Sequence, residues 1–141
     1  MSLPLVLNTN EIKDSAGASI NFERLGDAME RKLTFFKTGE APAYQHRLGI
    51  SHQEIGSGLK GRRRSQVWAR KTHISTVDNV TPVTSLFYTV SDIPIGAITS
   101  FTEPYTVFAN LLSFLASKGA SSTILFNGTG YGAECLILGS L

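Results

Sequence analysis

At 141 residues, 42% of them hydrophobic, the chain has the size of one globular domain and enough apolar material for a core. A single cysteine, Cys135, excludes an internal disulfide framework and a cysteine-based zinc site, so neither metal nor cofactor is indicated. No apolar run reaches the roughly 18 residues that suggest a membrane span, and a soluble chain without an export signal is expected. The formal net charge is only +2, yet 12 of the 13 Lys and Arg residues lie at or before Lys71, with Lys118 alone beyond it. Such asymmetry points to an anionic partner on one face and to packing or association elsewhere.

In chain order, "LPLVLN" (3–8) and "SINFERL" (19–25) flank the turn-like "DSAGA", a predicted hairpin. "RKLTFFKTG" (31–39) follows as a strand, and "HRLGISHQEI" (46–55) alternates Leu48 and Ile50 with Arg47, Gly49 and Ser51, the period of a strand with one buried face. A basic strand comes next over 62–73, and "VTSLFYTVSDI" (83–93), rich in Thr, Val, Tyr and Phe, closes an antiparallel meander.

After Pro94 the pattern changes to helical. Over 100–119 the sequence offers Thr102 as N-cap, Glu103 in the first turn, Pro104 near the start and Gly119 as terminator. Val107, Phe108, Leu111, Leu112, Phe114 and Leu115 recur at spacings of three, four and seven and form a wide apolar face. A second short helix is predicted over 120–128, and the apolar "YGAECLILGSL" (131–141) reads as a docked tail. The expected organisation is one α+β domain over 1–141, with a sheet in 1–95 and a helical region and tail in 96–141.

Two motifs suggest chemistry that their context does not support. "GSGLKG" (56–61) satisfies G-x-G-x-x-G with Asp78 following at roughly the fingerprint distance, but it lies between two amphipathic strands rather than between a buried parallel strand and a helix. A hairpin loop is the expected structure. His46, His52 and His73 fall in predicted strands, and Cys135 has no electropositive neighbour in sequence to activate it. An enzyme is not indicated.

The stretch "GLKGRRRSQVWARKTHI" (58–74) is different, because it gathers six cations around one tryptophan. Read as a strand, it sends Arg62, Arg64, Gln66, Trp68, Arg70 and Thr72 to one side. Guanidiniums supply bidentate donors for phosphate and the indole supplies a stacking surface, a combination suited to single-stranded or looped nucleic acid. A hairpin register that pairs the two strands would add Arg47, Ser51 and Gln53 to that face. The competing reading is a solvated edge with several arginines.

The order of these features resembles the coat proteins of single-stranded RNA bacteriophages, the levivirus type. "APAYQHRLGISHQ" followed by "GRRRSQVWARKTHI" is similar to that family's fourth and fifth strands, "INFERLGDAMERKLTFFKTG" to the preceding hairpin, and "VTSLFYTVSDIP" before "FANLLSFLASKG" to its last strand and dimerising helix. The resemblance covers nearly the whole chain and implies a levivirus coat-like intertwined homodimer. Two sheets would join edge to edge, each subunit's helices would cross its partner, and the dimers would form an icosahedral shell with RNA inside.

Further implications attach to particular positions. Arg47, Gly49, Ser51 and Gln53, then Arg64, Gln66, Trp68 and Arg70, then Ser85, Phe87 and Thr89 would face the RNA, while Gly49 and Trp68 stand where that family often has a polar and a basic residue. Val107, Phe108, Leu111, Leu112 and Leu115 would lie in the dimer interface, and Val77, Asp78, Asn79 and Pro82 in the loop between dimers. The implied function is a structural coat protein that packages single-stranded RNA in a virion assembled in the bacterial cytoplasm, with translational repression through an RNA hairpin as an added role. A small dimeric single-strand-binding protein is the alternative. Neither a membrane nor a small-molecule substrate is implied.

Overall fold

Alternating sequences over the first two thirds of the chain pair in the order in which they occur. In the computed structural model, which describes residues 3–26, 31–118, 124–125 and 127–139, six strands form one antiparallel sheet in sequential order. They are β1 (Val6–Leu7), β2 (Phe22–Arg24), β3 (Lys32–Lys37), β4 (His46–Ile55), β5 (Arg62–Ile74) and β6 (Pro82–Ile93). Two helices follow, α1 (Thr102–Ala116) and α2 (Tyr131–Leu138). The chain divides into two units: Met1–Leu7 with Asn21–Ile98, which holds the sheet, and Asn8–Ile20 with Thr99–Leu141, which holds the helices.

The sheet unit is built on its longest strands. β4 and β5 pair from His46↔Lys71 to Ile55↔Arg62, and β5 and β6 from Arg63↔Ile93 to Ile74↔Pro82. "GSGLKG" is the β4–β5 hairpin connection: Gly56 and Gly58 have φ of 75° and 56°, and a 3-10 turn spans Gly58–Lys60. Positive φ at both positions is conformational space that glycine enters without steric cost. No helix N-terminus follows the motif, so the geometry of a dinucleotide site is missing there.

Directly opposed residues share a face of the sheet, and the register therefore separates two surfaces. One carries Leu7, Phe22, Phe35, Leu48, Ile50, Val67, Ala69 and Phe87. Leu7, Phe22 and Phe35 are the buried apolar side chains among the described residues, and Phe35 is fully enclosed. The same surface becomes open toward β6, where Phe87 is 52% exposed. The other surface carries Lys32, Arg47, Arg62, Arg64 and Arg70.

Glu40, in the connection before β4, ties three strands together on the apolar side. Its carboxylate accepts the His46 amide at 2.6 Å, lies 2.7 Å from His46 Nδ1, accepts Lys71 Nζ at 3.1 Å and stands 3.6 Å from Lys37 Nζ. Partial burial pushes its pKa up, but the hydrogen bonds from His46 and Lys71 outweigh this and hold it at about 2, against an ordinary 4.5.

In the helical unit, α1 starts at Thr102, which is its first helical residue and not the expected N-cap; Ser100 Oγ accepts the Thr102 amide at 3.3 Å. The helix ends at Ala116, where Ser117 leaves in extended conformation, and the expected terminator Gly119 lies outside the described residues. The second helix expected over 120–128 falls mostly on residues outside those described, 120–123 and 126 among them. Within 120–128, Ile124 forms an isolated antiparallel bridge with Ser117, and the helix stands at 131–138, where a docked tail was expected. At 124–125 the backbone bonds to the end of α1, the Leu125 amide donating to the Ala116 carbonyl at 2.8 Å. α2 approaches α1 closely because Gly132 has no side chain: a β-carbon there would collide with the Phe114 ring.

A stability prediction follows from the Glu40 network. Glu40→Gln should destabilise the fold at pH 7 by about 1–2 kcal/mol, since a charged acceptor is lost for groups left short of partners. A carboxylate with a depressed pKa stabilises fully above its unfolded value and loses that contribution as pH falls. Denaturant titration should therefore show the gap between variant and wild type narrowing from pH 4.5 toward about 2.

Candidate nucleic-acid interface

The pairing of β4 with β5 brings Arg47 opposite Arg70, Gly49 opposite Trp68, Ser51 opposite Gln66, Gln53 opposite Arg64 and Ile55 opposite Arg62. The polar residues expected from the two strands thus share one surface. β6 does not contribute as expected. Its register pairs Arg70 with Leu86, Trp68 with Tyr88, Gln66 with Val90 and Arg64 with Asp92, whereas Ser85, Phe87 and Thr89 stand opposite Lys71, Ala69 and Val67 on the apolar side.

Placement of Ser85, Phe87 and Thr89 on the basic face is therefore corrected. The cause is parity: with strands meeting at Ile74↔Pro82, the seven-residue connection 75–81 aligns even-numbered residues of β6 with even-numbered residues of β5, and a one-residue difference moves every side chain to the other face. Tyr88, 61% exposed, takes the place expected for Phe87.

Much of the positive charge is neutralised internally. Asp92 accepts Arg62 Nε at 2.6 Å and Arg64 Nη2 at 3.2 Å, and these arginines, the Arg62 interaction foremost, hold its carboxyl below the usual range. On the apolar side Glu54 binds Arg63 at 3.1 Å and Arg31 at 3.2 Å, and Glu40 binds Lys71. Among the described residues, Lys32, Arg47 and Arg70 are the cations of the basic face without a carboxylate partner within 4.0 Å. Arg70 instead places its guanidinium 5.2 Å from the centre of the Trp68 ring, a cation–π arrangement.

A pocket of about 360 Å³ is lined by Lys32, Ser51, His52, Gln53, Arg64, Gln66 and Val90. Two cations, two amides and a hydroxyl around one apolar wall can hydrogen-bond the polar edge of a ligand and balance an anion.

The expected inter-dimer residues occupy the β5–β6 connection, except that Pro82 already begins β6. Asp78 shapes this loop: its carboxylate accepts the amides of Val80 and Thr81, each at 3.0 Å, and the Thr81 hydroxyl. These hydrogen bonds, the Thr81 hydroxyl's first, hold the Asp78 carboxyl well below the usual range. The loop presents Val77 and Val80, 92% and 76% exposed, to solvent. On α1, no residue is buried; Val107, Phe108, Leu111 and Leu112 are exposed and Leu115 is half-buried.

Solved structures share this fold. The chain matches the bacteriophage EMS014 coat protein with a TM-score of 0.64 at 11% identity, over 96% of this chain and 95% of that one. A chain from the virus-like particle of Beihai levi-like virus 21 matches with a TM-score of 0.59 at 17% identity, over 84% and 89%. One from the particle of Beihai levi-like virus 32 matches with a TM-score of 0.56 at 21% identity, over 68% and 75%. No family model and no curated protein matches the sequence. The six-stranded antiparallel sheet followed by two helices is the fold of these phage coat proteins.

Asp92 is expected to restrain the charge of the basic face. Asp92→Asn should release Arg62 and Arg64 and steepen the log–log salt dependence of single-stranded RNA binding by up to about 1.4, at roughly 0.7 per added phosphate contact. Fluorescence-anisotropy titrations over a salt series measure this, and an unchanged slope would mean that the two arginines do not reach phosphate.

Proposed function

We propose that the chain is the structural coat protein of an RNA phage: it dimerises, assembles into an icosahedral shell and packages single-stranded RNA on the basic face of its sheet. The observation that carries this reading is an apolar surface left uncovered within one chain, in a fold shared with subunits of virus-like particles. α1 presents its apolar face without a buried residue, and β6 is a long edge strand with no lysine or internal proline to protect it. An unprotected edge of this kind is a template for pairing with a second copy. Edge-to-edge pairing of β6 and packing of α1 against a partner would cover both features.

Concentration of unpartnered cations with Trp68 and Tyr88 on the opposite face supports RNA as the content of such a shell. Phosphates would meet Lys32, Arg47 and Arg70, bases would stack on the aromatic pair, and the loop carrying Val77 and Asp78 would join neighbouring dimers. Recognition of an RNA hairpin by the same face extends this reading to translational repression, with the virion as the protein's location after assembly in the bacterial cytoplasm.

Size-exclusion chromatography and electron microscopy of the expressed protein test the proposal. Megadalton particles containing RNA support it; a small species with salt-sensitive RNA binding would favour a dimeric single-strand-binding protein and overturn the shell. Leu111→Asp is expected to abolish soluble dimer, because it buries a charge in the proposed contact; a variant that sediments as wild type would remove α1 from the interface. Arg47→Ala with Arg70→Ala should reduce the log–log salt slope of RNA binding by about 1.4, and an unchanged slope would remove the phosphate role of both.

A further inference from the structure

Gly49 lies in the middle of β4, opposite Trp68, and is buried although it stands on the basic face. Its backbone does not explain the residue: Gly49 is not among the glycines with positive φ, so its conformation is one that any residue adopts. Space explains it. A β-carbon at this position would fall on the Nε1, Cε2 and Cζ2 atoms of the Trp68 indole, so the ring lies across β4 in the volume that a side chain would fill. Arg70, two residues along β5, holds its guanidinium 5.2 Å from the ring centre.

From this geometry we infer that Gly49 is a positioning residue: it seats the Trp68 indole across β4 and, with Arg70, fixes it in advance as a stacking platform for a nucleobase. An aromatic ring restrained before binding does not lose that freedom when the base arrives, so the seat contributes to affinity without touching RNA. The inference rests on the RNA reading of the basic face and deepens it, by assigning the platform's orientation to a residue that has no side chain.

The test uses full-length, RNA-free protein and a poly(A) oligonucleotide. Trp68 is the only tryptophan in the chain, so its fluorescence reports the seat directly. Gly49→Ala should displace the indole, shift its emission to longer wavelength and increase its quenching by acrylamide. Poly(A) affinity should fall by about two- to tenfold, the range for ordering one side chain, with the salt slope unchanged. Trp68→Ala should cost about 5- to 150-fold, the range for losing one stacked base. In the Trp68→Ala background Gly49→Ala meets no indole and should cost nothing further, a non-additivity that marks coupled neighbours.

Emission, quenching and affinity equal to wild type in Gly49→Ala would overturn the inference, and so would equal losses in both backgrounds, which would make Gly49 a backbone requirement. If Gly49→Ala alone fails to fold, the double variant decides: folding recovered with Trp68→Ala supports the seat, and continued failure overturns it. Wild-type protein that does not bind poly(A) would defeat the RNA reading and the platform with it. Wild type that binds, loses affinity in Trp68→Ala and keeps it in Gly49→Ala would defeat the seat alone.

Discussion

The ladder joining β4, β5 and β6 is the constraint on which the other features depend. Ten residue pairs between β4 and β5 and twelve between β5 and β6 hold three long strands in one register. Successive side chains must point to opposite sides, so this one alignment sends Arg47, Arg64, Trp68, Arg70 and Tyr88 to one surface and Leu48, Val67, Ala69 and Phe87 to the other. A shift by one residue would exchange the two chemistries completely. Segregation of charge from apolar area is thus a property of pairing, and no individual side chain creates it.

Within that frame, electrostatics divide the basic stretch by role. Arg63 and Lys71 belong to the apolar side, where Glu54 and Glu40 neutralise them and link neighbouring strands. Arg62 and Arg64 share Asp92 at one end of the basic face. Among the described residues Arg70 lies over the indole without a carboxylate partner, and Arg47, whose guanidinium donates to the Pro42 carbonyl at 3.4 Å, stands opposite it. The proposed phosphate contacts therefore concentrate around Trp68, where a stacked base would bring its own phosphate within reach of two unpaired guanidiniums.

The helices and the sheet edge place a different demand on the chain. Among the described residues, three buried apolar side chains make a thin core, while α1 keeps Val107, Phe108, Leu111 and Leu112 in solvent. Surface of this kind is costly in a lone subunit and becomes favourable once a second copy covers it. In the proposed dimer, association and stability would be one process, because the contact that joins two copies is also the one that covers this surface.

Strand and helix positions were largely legible from local pattern, because alternation over 46–55, 62–74 and 82–93 and the three-four spacing over 102–116 are written in consecutive residues. The basic face of β4 and β5 was legible for the same reason, since a short glycine-rich hairpin connects them. The face taken by each residue of β6 was not: it depends on how the seven residues 75–81 bring Pro82 opposite Ile74, and the Asp78 turn that accomplishes this involves hydrogen bonds to Val80 and Thr81 rather than a hydrophobic period. Nor did apolar Ile124 and Leu125 distinguish a helix from the bridge to Ser117, because both satisfy the same backbone groups. Composition and periodicity by themselves determined a charged sheet followed by an apolar helix. Only the tertiary structure decided which arginines lack a carboxylate partner among the described residues, that Tyr88 and not Phe87 accompanies Trp68, and that the Trp68 indole lies where a side chain at Gly49 would stand, since each depends on contacts between strands that sequence order does not record.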